Sequence, residues 1–263
     1  MIPLSKPPKI LESKDNKGIF EIEALYPGYG FTIGNSLRRV LLSSLEGAAV
    51  TQVKIEKVAH EFSTIPGVLE DVLLILLNLK QMRVKLYSNE PQKATLKVKG
   101  EKEVKGSDFV FPPQVELANK DISIAHLTNK TAELQMEILI EKGTGYVPAE
   151  ERKREKQESG IIALDAIFTP VRRVSTRVEN MRVGDKTDFN RLRVEIETDG
   201  TMSPEEAFYQ AADILVKQFQ VTAEGMKEKA ESKQRELEKR AEKAEKTTKK
   251  KKEKAPQKKS AKT

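Results

Sequence analysis

The sequence of 263 residues contains no cysteine, which excludes disulfides and thiolate metal sites. Its two histidines, His60 and His126, are too few for a zinc cluster. Long apolar runs are absent as well. The longest, Val72 to Leu77, falls far short of the ~20 residues a membrane helix needs, and the opening MIPLSKPPKI lacks the apolar stretch of a signal peptide. A soluble, unprocessed chain is therefore expected. There is no G-x-x-x-x-G-K-[ST] loop, and no clustered aspartates that could hold the two Mg²⁺ ions of nucleotidyl transfer. Internal repeats are absent too.

The net charge of +7 suggests a nucleic-acid partner until its location is considered. From Met226 onward there are 16 Lys+Arg and 7 Glu, a net of +9, leaving 31 basic and 33 acidic residues before that point. The first 225 residues are thus nearly neutral, at −2, and only the tail has the composition of a phosphate-binding segment. A free-standing basic nucleic-acid-binding protein would carry its charge over the folded body, so that alternative rests on the tail alone.

Hydropathy patterning predicts an α+β fold. Lys9 to Leu25 alternates around the turn Asp15-Asn16-Lys17-Gly18 and predicts a hairpin. After the turn cluster Pro27–Gly30, the spacing of Ile33, Leu37, Val40, Leu41 and Leu45 predicts a helix with Thr32 as its N-cap. A strand is expected over Val50 to Val58, then a helix from near Pro66 through Leu79, with Glu70 and Asp71 in its first turns and an apolar set broad enough for burial on most sides. Further strands are expected at Met82–Tyr87, Ala94–Val98, Asp121–Ala125, Glu133–Ile140, within Ile161–Val178, and at Leu192–Thr198, with an exposed charged loop from Glu150 to Glu158. Ser203-Pro204-Glu205-Glu206 combines an N-cap serine, a proline at the first helical position and a capping-box glutamate. The helix it opens has an apolar face through Phe208, Leu215 and Phe219. Beyond Met226 only Leu237 is large and apolar. Glu231/Arg235, Glu236/Arg240 and Glu242/Lys246 are i,i+4 pairs in the favourable order, each worth about 0.2–0.5 kcal/mol in a helix. A partly helical extension is expected, fraying at Thr247 into a lysine-rich end.

Three constellations invite a chemical role. Gly28, Gly30 and Gly34 precede or open a helix, but the third glycine is one position late for G-x-G-x-x-G and the preceding strands read as a hairpin, so a turn feeding a helix is the better account. His60 beside Glu61 suggests acid–base work, yet neighbours on a strand face opposite sides and no nucleophile converges on them. Arg38 and Arg39 sit on the outer side of the first helix, placed either for solvent or for a partner's carboxylates and carbonyls.

Gly34-Asn35-Ser36-Leu37-Arg38-Arg39-Val40-Leu41-Leu42-Ser43-Ser44 closely resembles the signature helix of bacterial RNA polymerase α subunits. Four further blocks agree in order: His60–Thr64, Gly67–Val72 running into Leu76–Lys80, Gly143–Ala149 (GTGYVPA), and Thr198–Thr201 ahead of Pro204–Ala207. The resemblance implies a discontinuous dimerisation domain, residues 1–46 and 166–226, interrupted by a β-rich insert over 47–165 and followed by the tail at 227–263. It implies a homodimeric, non-catalytic scaffold that gathers the β, β′ and ω subunits, with no cofactor of its own because the catalytic Mg²⁺ would be held by another subunit. The implied β-subunit contact is Arg38, Arg39 and Leu42, and the implied large-subunit-facing residues are His60, Glu61, Glu70, Asp71 and Lys80. The implied dimer interface comprises Tyr29, Ile33, Leu37, Leu41, Phe208, Leu215 and Phe219. A cytoplasmic, nucleoid-associated location follows. Family members usually continue into a small helical domain that binds upstream promoter DNA and activators. The charged tail stands in its place here, and weak, non-specific DNA attraction is all its composition implies.

Overall fold

In the computed structural model, which describes residues 2–152 and 160–253, the chain divides into one unit ending at Asp213 and another beginning at Ile214. In chain order the first unit holds β1 (Lys9–Lys14), β2 (Lys17–Leu25), α1 (Tyr29–Ser43), β3 (Glu46–Ile55), α2 (Val72–Lys80), β4 (Val84–Leu86), β5 (Gln92–Lys99), β6 (Lys102–Lys105) and β7 (Val115–Leu117). It continues with β8 (Ser123–Leu127), β9 (Glu133–Thr144), β10 (Tyr146–Val147), the short α3 (Ala149–Arg152), β11 (Ile161–Ala163), β12 (Ala166–Ile167), β13 (Val171–Val183), β14 (Lys186–Thr198) and the start of α4 (Pro204–Glu253). The fold is α+β, rich in strands. Most of the charged run expected as a loop at 150–158 lies outside the described residues, beyond α3.

One sheet is antiparallel in the order β1-β2-β14-β13. Alternation along its strands sends Phe20, Ile22, Leu192, Val194 and Ile196 to one face, where they are buried with Leu37 and Leu41 of α1 and Ala207 and Ala211 of α4. The Phe208 ring stacks on Phe20 at 4.7 Å. The opposite face is a charged lattice: Arg193 Nε donates to Glu21 Oε2 at 2.7 Å, and Lys9 and Arg191 flank Glu23 at 2.8 and 3.7 Å.

Helix α1 starts three residues before the expected cap at Thr32 and lacks a side-chain cap of its own, because its N-cap is Gly28, at φ +86°. Strand β14 supplies one. The buried Asn190 amide oxygen accepts from the N–H groups of Gly28 (2.9 Å) and Gly30 (3.3 Å), two donors that a helix start otherwise leaves unpaired. Gly30 and Gly34 then let the helix lie close on the sheet; a Cβ on Gly30 would stand 2.7 Å from Val178.

The second sheet runs β5-β9-β3-β4-β7, with β11 also paired to β3. Its inner face, including Val53, Leu96, Met136, Ile138 and Ile140, meets Val72, Ile75, Leu76 and Leu79 of α2 in one core. Its outer face is polar, with pairs such as Lys93–Glu137 at 2.7 Å. Helix α2 starts at Val72 rather than near Pro66. Gly67 at φ +81° and the bridge from Val68 to Leu127 keep the preceding segment extended, and Asp71, not in the first turn, caps the helix by accepting from Leu74 N–H at 2.8 Å. The short strands β6 and β7 were not expected, since three or four residues are too few for a periodic pattern.

On the second sheet a glycine pair lies beneath Phe168, in the segment that leads into β13. Gly47 on β3 and Gly143 on β9 are register partners, and Phe168 lies across them. A Cβ on Gly47 would fall 1.9 Å from the Phe168 carbonyl oxygen, and one on Gly143 would fall 2.7 Å from its ring. Phe168 N–H in turn donates to Gly145 O at 2.8 Å.

In the second unit α4 continues as helix to Glu253, past the expected fraying point at Thr247; no glycine or proline occurs between Gly225 and Pro256 to stop it.

Gly47→Ala is expected to destabilise the protein by about 3 kcal/mol or more, the upper end of the overpacking range, since backbone rather than a flexible side chain must give way. Scanning calorimetry would register this as a fall in Tm of about 6–12 °C for a domain of this size; an unchanged Tm would refute the close approach.

Candidate subunit-docking surface

Arg38 and Arg39 are exposed on α1, and Leu42 one turn on is also exposed. Their helix ends beside the GTGYVPA segment: a Cβ on Gly145 would stand 3.3 Å from the Ser43 carbonyl oxygen. From there the chain leads to α2 through one carboxylate. Asp165 accepts from Lys80 Nζ at 2.8 Å and from Ala149 N–H at 2.9 Å. These two bonds, with smaller help from the Lys80 charge and the Tyr146 hydroxyl, hold the Asp165 carboxyl below its ordinary value against the effect of partial burial. Lys80 is thereby fixed at the end of α2 next to the exposed Tyr146.

Helix α2 departs from expectation in the way that bears most on function. It is apolar all round, but a nine-residue helix lying on a sheet is covered on one side only, so Leu73, Leu74 and Leu77 remain exposed. Leu69, 71% exposed, and Phe62, 77% exposed, add to the solvent-facing apolar surface of this region. The loop carrying His60 and Glu61, not a strand as expected, is tied to the helix start: Val72 N–H donates to Ser63 O at 3.1 Å and Thr64 bridges Asp71. His60 itself is exposed with Nδ1 3.1 Å from Ser63 Oγ, and Glu61 is half-buried.

Glu70 faces inward to β8 rather than outward with the leucines. Its carboxylate accepts from the His126 backbone N–H at 2.7 Å and meets His126 Nδ1 at 2.5 Å. Partial burial pushes the Glu70 carboxyl up, but the two His126 bonds outweigh it and the net shift is down. The same carboxylate raises the His126 ring above its ordinary value, outweighing burial in the other direction, with Glu103 adding a smaller effect.

The expected dimer residues do not share one environment. Leu37 and Leu41 are buried within the chain's own core, beneath the helix surface. Phe208 is half-buried, engaged with Phe20. Ile33 and Leu215 are half-buried, while Tyr29 is exposed and Phe219 is 66% exposed. An apolar position on a helix face is as well satisfied by the helix's own sheet as by a partner, and spacing does not distinguish the two.

Phe62, Tyr146 and Asp165 carry no assignment from the sequence, whereas Leu69, Leu73, Leu74 and Leu77 lie within the Gly67–Lys80 block that the resemblance turns toward the large subunits, without being named individually. The signal for the leucines was present: a short helix with no polar face holds more apolar surface than one sheet can cover.

Residues 53–169 match the RNA polymerase Rpb3/RpoA insert domain. The DNA-directed RNA polymerase subunit alpha of Carboxydothermus hydrogenoformans is 47% identical over 222 residues, 84% of this chain and 71% of the relative. That of Oceanobacillus iheyensis is 44% identical over 242 residues, 91% and 76% of the two chains, and that of Symbiobacterium thermophilum 48% over 218 residues, 82% and 69%. The chain belongs to the DNA-directed RNA polymerase α-subunit family. Within this family member the matched insert contains α2, its preceding loop, Lys80 and Asp165, so the exposed leucines lie inside the recognised domain. No helix among the described residues is long and apolar enough to cross a membrane.

The Glu70–His126 pair predicts a pH dependence. The folded-state pKa of His126 is raised, so its stabilising contribution is complete below the ordinary value of 6.5 and is lost as pH rises through the folded value. For Glu70 the sign is opposite: its contribution is present above the ordinary 4.5 and is lost as pH falls through its lowered value. Urea denaturation should therefore show the wild type losing stability relative to His126→Asn as pH rises past the ordinary 6.5; parallel pH profiles would refute it.

Proposed function

We propose that the chain is a non-catalytic scaffold of the polymerase: a homodimer that captures the β and β′ subunits, together with ω, for transcription of DNA into RNA. The observation that carries this reading is the apolar surface of Phe62, Leu69, Leu73, Leu74 and Leu77, in the same unit as an outward Arg38/Arg39/Leu42 ridge. Exposed leucines in such number mark a protein partner rather than a soluble substrate. Full burial of each is worth about 1.5–3 kcal/mol, and arginine is among the residue types enriched at interface hot spots. The division into a discontinuous dimerisation domain (1–46 and 166–226), an insert (47–165) and a tail (227–263) belongs to the same proposal. So do the cytoplasmic, nucleoid-associated location and a catalytic Mg²⁺ held by another subunit.

For the dimer, Tyr29 and Phe219 are the exposed aromatic side chains among the residues assigned to it. The tail, with its net +9, gives this scaffold weak, sequence-independent attraction to DNA.

The test is capture of the large subunits by purified chain. Arg39→Ala and Leu77→Asp should each weaken β capture by tenfold or more, corresponding to about 1.4 kcal/mol or above, while leaving the Tm within 2 °C of wild type. Undiminished capture by both variants would show these groups to be merely solvated.

Light scattering addresses the dimer separately. The unmodified chain should be dimeric at micromolar concentration, and Phe219→Glu should shift it toward monomer. A monomeric wild type would refute the homodimer.

A further inference from the structure

The charge of the tail is segregated along its length. From Lys227 to Thr248 there are 8 Lys+Arg and 6 Glu, a net of +2, whereas from Lys249 to Thr263 there are 8 Lys and 1 Glu, a net of +7. The near-neutral part carries the i,i+4 pairs Glu231/Arg235, Glu236/Arg240, Glu242/Lys246 and Glu245/Lys249, each with the acid first, the order that supports a helix. With Leu237 its only large apolar residue, it has no stripe with which to pack on anything. Yet the helix runs unbroken through it to Glu253. A helix with no packing face and a ladder of ion-pair positions is the composition of a self-supporting rod.

We propose that residues 227–248 act as a charged helical spacer that carries the Lys249–Lys252 cluster to the phosphate backbone of duplex DNA at a set distance. This rests on the reading of the tail as the phosphate-binding segment and adds to it a defined reach. At ~1.5 Å per residue, Lys227 and Lys249 are separated by roughly 33 Å of helix. Duplex DNA fits the cluster better than a carboxylate pocket on a protein does. Four consecutive helical positions lie about 100° apart around the axis, an arrangement suited to a diffuse polyanion rather than to one convergent site. The tail beyond Met226 contains no asparagine and no aromatic residue; its lysines and two arginines are phosphate-binding groups, and the contact in this proposal is with the backbone.

The absence of cysteine makes the test direct, since Lys251→Cys creates a unique attachment point for an iron chelate that cleaves nearby DNA. Polymerase assembled around the labelled chain on a linear promoter duplex should cut within a confined window. Inserting seven helix-forming residues after Ser232 adds about 10 Å and should move the centre of cleavage by about three base pairs, at ~3.4 Å per pair. Replacing 227–248 by a glycine–serine chain of equal length should broaden the window at least twofold. A window unmoved by the insertion, or already as broad in the wild type as in the glycine–serine variant, overturns the spacer. Cleavage of polymerase subunits with none of the DNA overturns the phosphate partner. Failure of the unlabelled full-length chain to capture the large subunits, read by gel filtration on the same preparations, would instead strike the scaffold reading.

Discussion

The contact on which the arrangement depends is the passage of Phe168 over the Gly47–Gly143 pair. Both sheets are antiparallel layers with one apolar face. Over the second of them the segment leading into β13 approaches so closely that a side chain on Gly47 or Gly143 would collide with Phe168. The same crossing brings Gly145 against the end of α1 and, through Asp165, ties Lys80 at the end of α2. The GTGYVPA block therefore works as a junction: its glycines are required by contact, and its tyrosine and alanine anchor the carboxylate that joins the pieces.

Given that junction, the outer surface follows from simple coverage. A nine-residue apolar helix set on a sheet buries one side, here Val72, Ile75, Leu76 and Leu79, and must leave the other in water unless a partner covers it. The hydrophobic effect makes such a surface costly for a free monomer and favourable for an assembly. Glu70 gives the arrangement its direction. Bonded inward to His126, it keeps the segment before α2 on β8 while the leucines face away.

The second unit obeys different physics. Where the first is held by buried apolar contacts, the helix beyond Met226 has almost none to offer, and its continuity fits local charge pairing and the absence of helix breakers. A chain can thus combine a packed scaffold with an extension whose form is set by spacing along the sequence.

Much of this was legible in the sequence. The hairpin around Asp15–Gly18, the helix opening at Ser203-Pro204 with Ser203 Oγ accepting from Glu206 N–H at 3.2 Å, and the longer strands all follow from alternation and capping chemistry, which act between near neighbours. The five motif blocks were legible too, and with them the family. What local pattern could not supply was anything decided at a distance. The cap of α1 comes from Asn190, 162 residues away from Gly28, so the turn cluster at Pro27–Gly30 marked a helix to come but not the residue at which it begins. Leu37 and Leu41 face their own sheet while Leu73 and Leu77 face outward, although all four are leucines on apolar helix faces. Which residues are apolar and where the chain turns are properties of side chains and their near neighbours, and so are written in the sequence. Which apolar faces are covered is settled in three dimensions, because coverage depends on how much opposing surface the rest of the chain brings to them.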